Sequence, residues 1–431
     1  MLRTRPLKRA LRAWLRVPGD KSISHRAAIF GALAEGETVI HGFLVAEDTL
    51  ATLRCLEACG VGIEGMGSSE VVVHGVGLKG WRQPQGVLDA GNSGTTLRLL
   101  LGALAGQPFS ATLDGDASLR RRPMDRVAHP LRAMGADVTG QGERCLPPVT
   151  VRGGSLHPIE YRLPMASAQV KTAILLAGLY AEGETVVVEP APCRDHTERM
   201  LPQFGADLRV EGRRIAVRGP ARLHGVELTV PGDLSSAAFF LTAAAFLPDS
   251  EVTVEEVGVN PTRAGFLEVL QSMGAEVRLS RRREVCGEPV ADVTVRHRPL
   301  RATRIAGDLI PRLIDEIPVL AIAACFAEGM TEIRDAQELR VKESDRIRVM
   351  ARNLEALGAS VEELDDGLRI EGPVRLKGGQ VEAQGDHRIA MAFAVAGWAA
   401  EGEILIQGSE AIRTSFPEFF ELYQRCGLEA S

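Results

Sequence analysis

A cation, a hydroxyl and a guanidinium lie close together in the sequence, directly after a tight turn near the N-terminus. The turn, Pro-Gly-Asp at positions 18–20, precedes a helical pattern that opens with Lys21 and Ser22. Arg26 follows Ser22 by four residues, so the two side chains share one face of the helix. Unpaired backbone N–H groups at a helix N-terminus favour an anion. The stretch therefore predicts a phosphate or carboxylate site; the alternative is an N-cap serine with solvated basic side chains.

Similar polar and basic residues recur at other predicted helix starts and in the loops that follow them. Lys342, Glu343 and Arg346 gather on one helical turn, where the alternative is a solvated, salt-bridged helix start. Asp315 and Glu343 add two carboxylates to these basic groups, so a single site could bind a pair of highly anionic substrates. The other candidates are Asn92, Gly94, Thr95, Arg122, Ser167, Gln169, Lys171, Arg194, His387 and Arg388.

The elements that must position these residues form a repeat. Helix, strand, helix and strand follow one another six times along the 431 residues, which predicts an α/β protein of two domains with three repeats each. The near-identical turns at 18–20 and 231–233 are the expected crossover points. Domain one is predicted at 1–19 plus 233–431, and domain two at 20–232. The first helix of each repeat is apolar on most faces, so the helices should lie inside, the sheets outside, and the active site in the cleft between the domains.

Composition narrows the class of protein. The net charge of −6 argues against a broad nucleic-acid surface, so any basic site must be local. No apolar run approaches the roughly 20 residues of a membrane span. The seven cysteines are scattered and odd in number, which fits a reducing compartment and predicts a cytoplasmic protein. Cys55 and Cys59 are spaced like ligands, but no second pair completes a metal site, and small buried side chains are the better interpretation.

Four motifs together resemble the 5-enolpyruvylshikimate-3-phosphate synthase family almost letter for letter. They are GDKSISHR at 19–26, GNSGT at 91–95, RVKESDR at 340–346 and DHR at 386–388. The resemblance implies a two-domain inside-out α/β barrel of six repeats and a transferase of aromatic amino acid biosynthesis. The family moves the enolpyruvyl group of phosphoenolpyruvate to the 5-hydroxyl of shikimate 3-phosphate and releases phosphate. It implies no metal, no organic cofactor, no nucleic-acid or membrane partner, and a monomer.

The resemblance also assigns roles by position. Asp315 would accept the proton of the 5-hydroxyl, Glu343 would protonate the methylene carbon of phosphoenolpyruvate, and Lys21 would touch both substrates. Shikimate 3-phosphate would be held by Lys21, Ser22, Arg26, Ser167, Ala168, Gln169, Arg194, Asp315 and Lys342. Phosphoenolpyruvate would be held by Lys21, Asn92, Gly94, Arg122, Gln169, Arg346, His387 and Arg388.

Three positions differ from the pattern of many relatives. Ala168 stands where many have Ser and Arg194 where many have an aromatic, and both features resemble the second class of the family. A lysine is frequent near the C-terminal Ser-Phe-Pro turn, where this chain has Arg413 or Thr414.

Gly94 leaves the phosphoenolpyruvate pocket wide, whereas glyphosate-tolerant relatives of the second class carry Ala there. The sequence therefore predicts a glyphosate-sensitive enzyme.

Two other functions fit part of the pattern. UDP-N-acetylglucosamine enolpyruvyl transferases share the fold but place a reactive Cys or Asp on a loop of the second repeat. The matching loop at 116–123 has Asp116 and no Cys, and the motifs are spelled differently. A non-catalytic repeat protein that binds an anionic metabolite would not need Asp315 and Glu343 beside its basic groups.

Overall fold

The computed structural model describes residues 1–429 and divides into two compact units. Unit 1 comprises Met1–Pro18, Pro231–Glu284 and the chain from Pro289 onward. Unit 2 comprises Gly19–Val230 and the short segment Val285–Glu288. The unit boundaries therefore lie one and two residues before the predicted crossover points, and the turn at 285–288, which the prediction placed in domain one, groups with unit 2.

Twelve α-helices are present in the described chain. They are α1 (Lys21–Leu33), α2 (Glu47–Ala58), α3 (Gly94–Leu104), α4 (Asp125–Ala133), α5 (Ala168–Gly178), α6 (His196–Met200), α7 (Leu234–Phe246), α8 (Gly265–Ser272), α9 (Ile317–Ala324), α10 (Arg346–Ala356), α11 (His387–Ala396) and α12 (Phe419–Glu429). Five 3-10 turns lie at Leu119–Arg121, Leu201–Phe204, Gly307–Arg312, Gln337–Val341 and Ser409–Thr414.

Twenty-three strands complete the described chain. They are β1 (Leu2–Thr4), β2 (Arg12–Arg16), β3 (Glu35–His41), β4 (Gly62–Glu64), β5 (Glu70–Val76), β6 (Leu88–Asp89), β7 (Ser110–Asp114), β8 (Asp137–Gln141), β9 (Leu146–Arg152), β10 (Glu160–Arg162), β11 (Gly183–Val188), β12 (Leu208–Glu211), β13 (Arg214–Gly219), β14 (Glu227–Thr229), β15 (Glu251–Gly258), β16 (Glu276–Val285), β17 (Glu288–Arg296), β18 (Arg304–Ile305), β19 (Gly329–Ile333), β20 (Ser360–Leu364), β21 (Gly367–Gly372), β22 (Gly379–Glu382) and β23 (Ile404–Gln407).

The strands form six sheets that repeat one topology. In β14-β3-β5-β4, an edge strand runs parallel to its neighbour, and the next two pairings are antiparallel. The same pattern recurs in β6-β7-β9-β8, β10-β11-β13-β12 and β18-β19-β21-β20. Sheet β2-β15-β17-β16 keeps this order, whereas the sixth sheet has only β22, β23 and β1. Three sheets belong to each unit, and the six predicted repeats are confirmed.

The first helix of each repeat is almost entirely buried. In unit 1 every residue of α7, α9 and α11 is buried. In unit 2, α3 and α5 approach so closely that a Cβ on Gly102 would lie 2.3 Å from the carbonyl oxygen of Ala173. Helices that are apolar all round can only be accommodated in a core, so the sheets cover them. No strand pairing joins one sheet to another in residues 1–429, so each unit carries three separate sheets around its buried helices.

Candidate active site

The first predicted anion site lies at the start of α1, in unit 2. Asp20, not Ser22, is the N-cap, and its carboxylate accepts a hydrogen bond from the backbone N–H of Ile23 at 3.0 Å. Lys21 therefore opens the helix, and its ammonium is 2.9 Å from a carboxylate oxygen of Asp48. Ser22, the second residue of the helix, is half-buried and does not cap it.

Arg26 is a buried cation without a carboxylate beside it. It is 2% exposed, and its guanidinium donates to the hydroxyls of Thr197 (2.9 Å) and Thr172 (2.8 Å) and to the carbonyl oxygen of Ser22 (3.0 Å). No carboxylate in residues 1–429 is within ion-pair distance of it. Burial lowers the pKa of Arg26 to about 10, so the group stays charged at neutral pH. A buried charge without an ion-pair partner is costly in free energy, and the more distant charges of Glu198 and Asp20 offset only part of that cost.

His25, next to Arg26, faces the interior. Its Nδ1 is 2.7 Å from the hydroxyl of Thr52, which is in turn 2.6 Å from that of Thr96 on α3. Burial first, and then the charges of Lys21 and Arg26, hold the pKa of His25 well below its usual value. His25 is therefore a neutral packing residue that links α1 to α2 and α3.

The start of α3 gathers the next group of candidates. Ser93 caps the helix by accepting from the N–H of Thr96 at 3.1 Å, and Gly94 is the first helical residue. The amide of Asn92 accepts from the guanidinium of Arg122 at 2.7 Å. A Cβ added to Gly94 would lie 3.4 Å from Nη1 of Arg122. Asn92, Gly94 and Arg122 are thus brought together, as predicted.

The start of α5 adds the third group. Ser167 caps α5, so Ala168 is the first helical residue and its backbone N–H has no acceptor within the helix. Gln169 donates to the hydroxyl of Thr95 at 2.9 Å and accepts from Arg98 at 2.7 Å. Since Thr95 and Arg98 lie on α3, Gln169 ties the two helix starts together. The half-buried Arg194 lies in the loop between β11 and α6.

In unit 1, Arg346 is surrounded by carboxylates. Its side chain is 1% exposed and lies 2.7 Å from Asp386, 2.6 Å from Glu343 and 3.2 Å from Asp315. Although burial lowers it, the three carboxylates raise the pKa of Arg346 overall. The two predicted proton-transfer residues, Asp315 and Glu343, therefore share one guanidinium, and the structure places them together.

Asp315 also approaches the start of α11, where its carboxylate is 3.7 Å from the guanidinium of Arg388. His387 opens this helix, and its Nδ1 is 3.4 Å from the hydroxyl of Thr414. Thr414, rather than the exposed Arg413, therefore lies beside the predicted site. Lys342, the sequence neighbour of Glu343, pairs with Glu338 at 3.5 Å.

Comparison with known proteins shows what this arrangement belongs to. The family model described as EPSP synthase (3-phosphoshikimate 1-carboxyvinyltransferase) matches residues 7–422. The chain belongs to the EPSP synthase family. A 3-phosphoshikimate 1-carboxyvinyltransferase of Desulfitobacterium hafniense is 55% identical over 421 residues, 98% of this chain and 96% of that protein. The function predicted from the motifs, a carboxyvinyl transferase of the shikimate pathway, is thereby confirmed, and neither alternative is favoured.

Solved structures agree with the family assignment. The 2.37 Å structure of EPSP synthase from Acinetobacter baumannii has a TM-score of 0.87, with 49% identity, and the match covers 99% of this chain and 98% of that one. The enolpyruvyl transferase NikO from Streptomyces tendae shares the fold, with a TM-score of 0.75 over 98% of this chain and 95% of that one, at 21% identity. The predicted fold class is confirmed.

The sequence analysis did not predict several polar residues that contact Lys21, Arg26 and Arg346. Asp48 holds Lys21, and Thr172 and Thr197 hold Arg26. The sequence analysis included Asp386 only as the first residue of the DHR motif and gave it no role. In the structure it caps α11 and pairs with Arg346. Its position before a helix start was the available signal, whereas nothing in the spacing of the two threonines points to Arg26.

Two further features concern metals and membranes. Among the described residues, no three His, Cys, Asp or Glu side chains are grouped so that they could hold a metal ion. Cys55 and Cys59 are buried free thiols whose pKa burial raises to about 12. None of the helices in residues 1–429 has the length and apolar character that a membrane span needs.

Proposed function

We propose that this chain transfers the enolpyruvyl group of phosphoenolpyruvate to shikimate 3-phosphate with the residues of the two clusters. The phosphate and ring of shikimate 3-phosphate are held by Lys21, Ser22, Arg26, Ser167, Ala168, Gln169 and Arg194. Lys342 reaches its carboxylate or hydroxyls, and Asp315 faces its 5-hydroxyl. Phosphoenolpyruvate is held by Lys21, Asn92, Gly94, Arg122, Gln169, Arg346, His387 and Arg388.

One observation carries the assignment of the phosphate site. Arg26 is buried and protonated, and only neutral oxygens contact it. Burying such a charge when the protein folds costs free energy. A bound phosphate dianion recovers this free energy through short, charge-assisted hydrogen bonds to the guanidinium. The backbone N–H groups at the start of α5 supply further donors. Together they favour a phosphomonoester over a neutral ligand.

The carboxylates of the Arg346 cluster carry the proton transfers. C2 of phosphoenolpyruvate becomes electrophilic when Glu343 gives a proton to the methylene carbon C3, and the 5-hydroxyl oxygen attacks C2 as Asp315 accepts its proton. Loss of phosphate from C2 and return of a C3 proton to Glu343 then restore the double bond. While both carboxylates are paired with Arg346, their ionised forms are stabilised. An anion of phosphoenolpyruvate on Arg346 would compete with Glu343 for this guanidinium.

The reaction is tested by following phosphate release. We expect release from phosphoenolpyruvate only when shikimate 3-phosphate is present, since the 5-hydroxyl supplies the nucleophile. UDP-N-acetylglucosamine should not substitute for it. Release with that sugar nucleotide, or release without any acceptor, contradicts the proposal. A protein that binds both metabolites without turnover is a binding protein.

We expect glyphosate to inhibit this chain and the Gly94→Ala variant to resist it. The added Cβ would lie 2.7 Å from Nη1 of Arg98 and 3.4 Å from that of Arg122. The end of Arg98 can move, but the methyl group then narrows the pocket for the longer inhibitor. We expect the inhibition constant to rise about 10- to 200-fold, the range for one methyl group in a pocket. The Michaelis constant for phosphoenolpyruvate should rise less.

The Gly86→Ala variant is the control for this prediction. A Cβ at Gly86 would meet no atom within 4 Å, so inhibition should match the parent protein. Equal inhibition of the Gly94 variant and the parent would exclude the steric explanation of sensitivity.

We place the protein in the cytoplasm as a monomer. None of the seven cysteines forms a disulfide bond in residues 1–429, and six of them are buried. Reduced cysteines in this number are typical of a reducing compartment. Size-exclusion chromatography with light scattering tests the monomer directly.

A further inference from the structure

A lysine that the reaction does not use is buried next to the proposed phosphate site. Lys171, in the first turn of α5, has a side chain with no exposed surface. Its ammonium is 2.7 Å from an oxygen of Glu189 and 2.5 Å from an oxygen of Glu198. Although burial opposes it, the charge of Glu198 and then that of the groups around it raise the pKa of Lys171 overall. Lys171 is therefore a charged group within the fold.

Glu189 and Glu198 lie on either side of one loop. Glu189 directly follows β11, Glu198 lies in α6, and Arg194 lies between them. The segment 189–195, which carries Arg194, contains no helix or strand. Cys193, the neighbour of Arg194, donates its thiol hydrogen to the same oxygen of Glu189 at 2.7 Å. Lys171 thus closes the loop at both ends and anchors it to α5.

The next residue on α5 completes the arrangement. Thr172 contacts the hydroxyl of Thr197 at 2.6 Å, and both threonines accept from Arg26. Thr197 precedes Glu198, so the contact between Glu198 and Lys171 also sets where Thr197 meets Arg26. Burial raises the pKa of Glu198, and the ammonium of Lys171 opposes that rise. Glu198 supports the charged form of the otherwise unpaired Arg26.

We propose that Lys171 is a positioning residue for the phosphate of shikimate 3-phosphate: by joining Glu189 to Glu198, it holds the loop of Arg194 and the threonines of Arg26 in binding geometry. The inference rests on the proposed roles of Arg26 and Arg194. It assigns to Lys171 no contact with substrate.

The test compares ligands with and without the phosphate. In the Lys171→Met variant we expect the Michaelis constant for shikimate 3-phosphate to rise about 10- to 100-fold, since displacements near 1 Å have effects of this size. The kcat and the Michaelis constant for phosphoenolpyruvate should change little. Binding of shikimate, which lacks the phosphate, should be unchanged in calorimetry. A purely structural role would weaken both ligands alike and would overturn the proposal, as would unchanged binding of both.

A second variant, Glu198→Gln, tests the same proposal if Lys171→Met does not fold. Glu198→Gln keeps the shape and leaves Lys171 paired with Glu189, and α6 is still held by Arg199, which donates to the carbonyl oxygen of Gly287 at 2.9 Å. We expect a smaller rise in the same Michaelis constant, again without effect on shikimate; no rise overturns the proposal. The parent protein is assayed in parallel. If the parent shows no phosphate release, the proposed function fails, whereas an active parent with unaffected variants refutes only the role of Lys171.

Discussion

Replacing Asp315 by Ala should lower kcat by about 10²- to 10⁴-fold, the usual contribution of a general base. The variant loses the acceptor for the proton of the 5-hydroxyl, but Arg346 keeps Glu343 and Asp386 as partners, so its charge stays compensated. The fold and the affinity for shikimate 3-phosphate should therefore be largely preserved. Single-turnover phosphate release and calorimetric binding of shikimate 3-phosphate measure the two quantities separately.

Two controls make this result specific. Asp315→Asn keeps a side chain that can contact Arg346 and Arg388 but is not a base, so it should be as inactive as the alanine variant. Glu362→Ala removes an exposed carboxylate of unit 1 that pairs with Arg369, and it should be fully active. Normal turnover by Asp315→Asn would exclude Asp315 as the proton acceptor.

Replacing Arg26 by Met should abolish high affinity for shikimate 3-phosphate without destabilising the unliganded protein. Removing one partner of a buried charged pair weakens binding by about 2–5 kcal/mol, or at least about 30-fold. The free energy of unfolding should stay within about 1 kcal/mol of the parent value, because the variant loses three hydrogen bonds but no longer buries a charge without an ion-pair partner. Thr172 and Thr197 keep each other as partners.

Thermal unfolding with and without ligand distinguishes the two effects. A ligand that binds only the folded state raises its stability with concentration, so shikimate 3-phosphate should raise the melting temperature of the parent far more than that of the variant. Arg26→Lys is the matched control: it keeps the charge, loses the forked geometry and should bind with intermediate affinity. A variant with the parent's affinity for shikimate 3-phosphate would show that the phosphate binds elsewhere.

Part of the site was readable from the sequence because its signals are local. Asp20 and Asp386 precede helices and cap them through backbone N–H groups two or three residues away. Such a cap needs no distant partner, so the helix starts and the residues they carry were predicted well. The identity of the cap at α1 was missed, since Ser22 and Asp20 are both good N-cap residues and only the geometry separates them.

The sequence by itself determined the six repeats, the helix starts that carry the polar residues and the family, because these depend on periodicity, capping and motif spelling within short stretches. Only the tertiary structure decided which partners those residues have. Arg26 meets Thr172 and Thr197 across 146 and 171 residues of chain, and Arg346 meets Asp386 across 40. These contacts arise where buried helices pack, and no spacing in the sequence encodes them. The packing of the helices therefore leaves Arg26 without a carboxylate within ion-pair distance and surrounds Arg346 with three carboxylates.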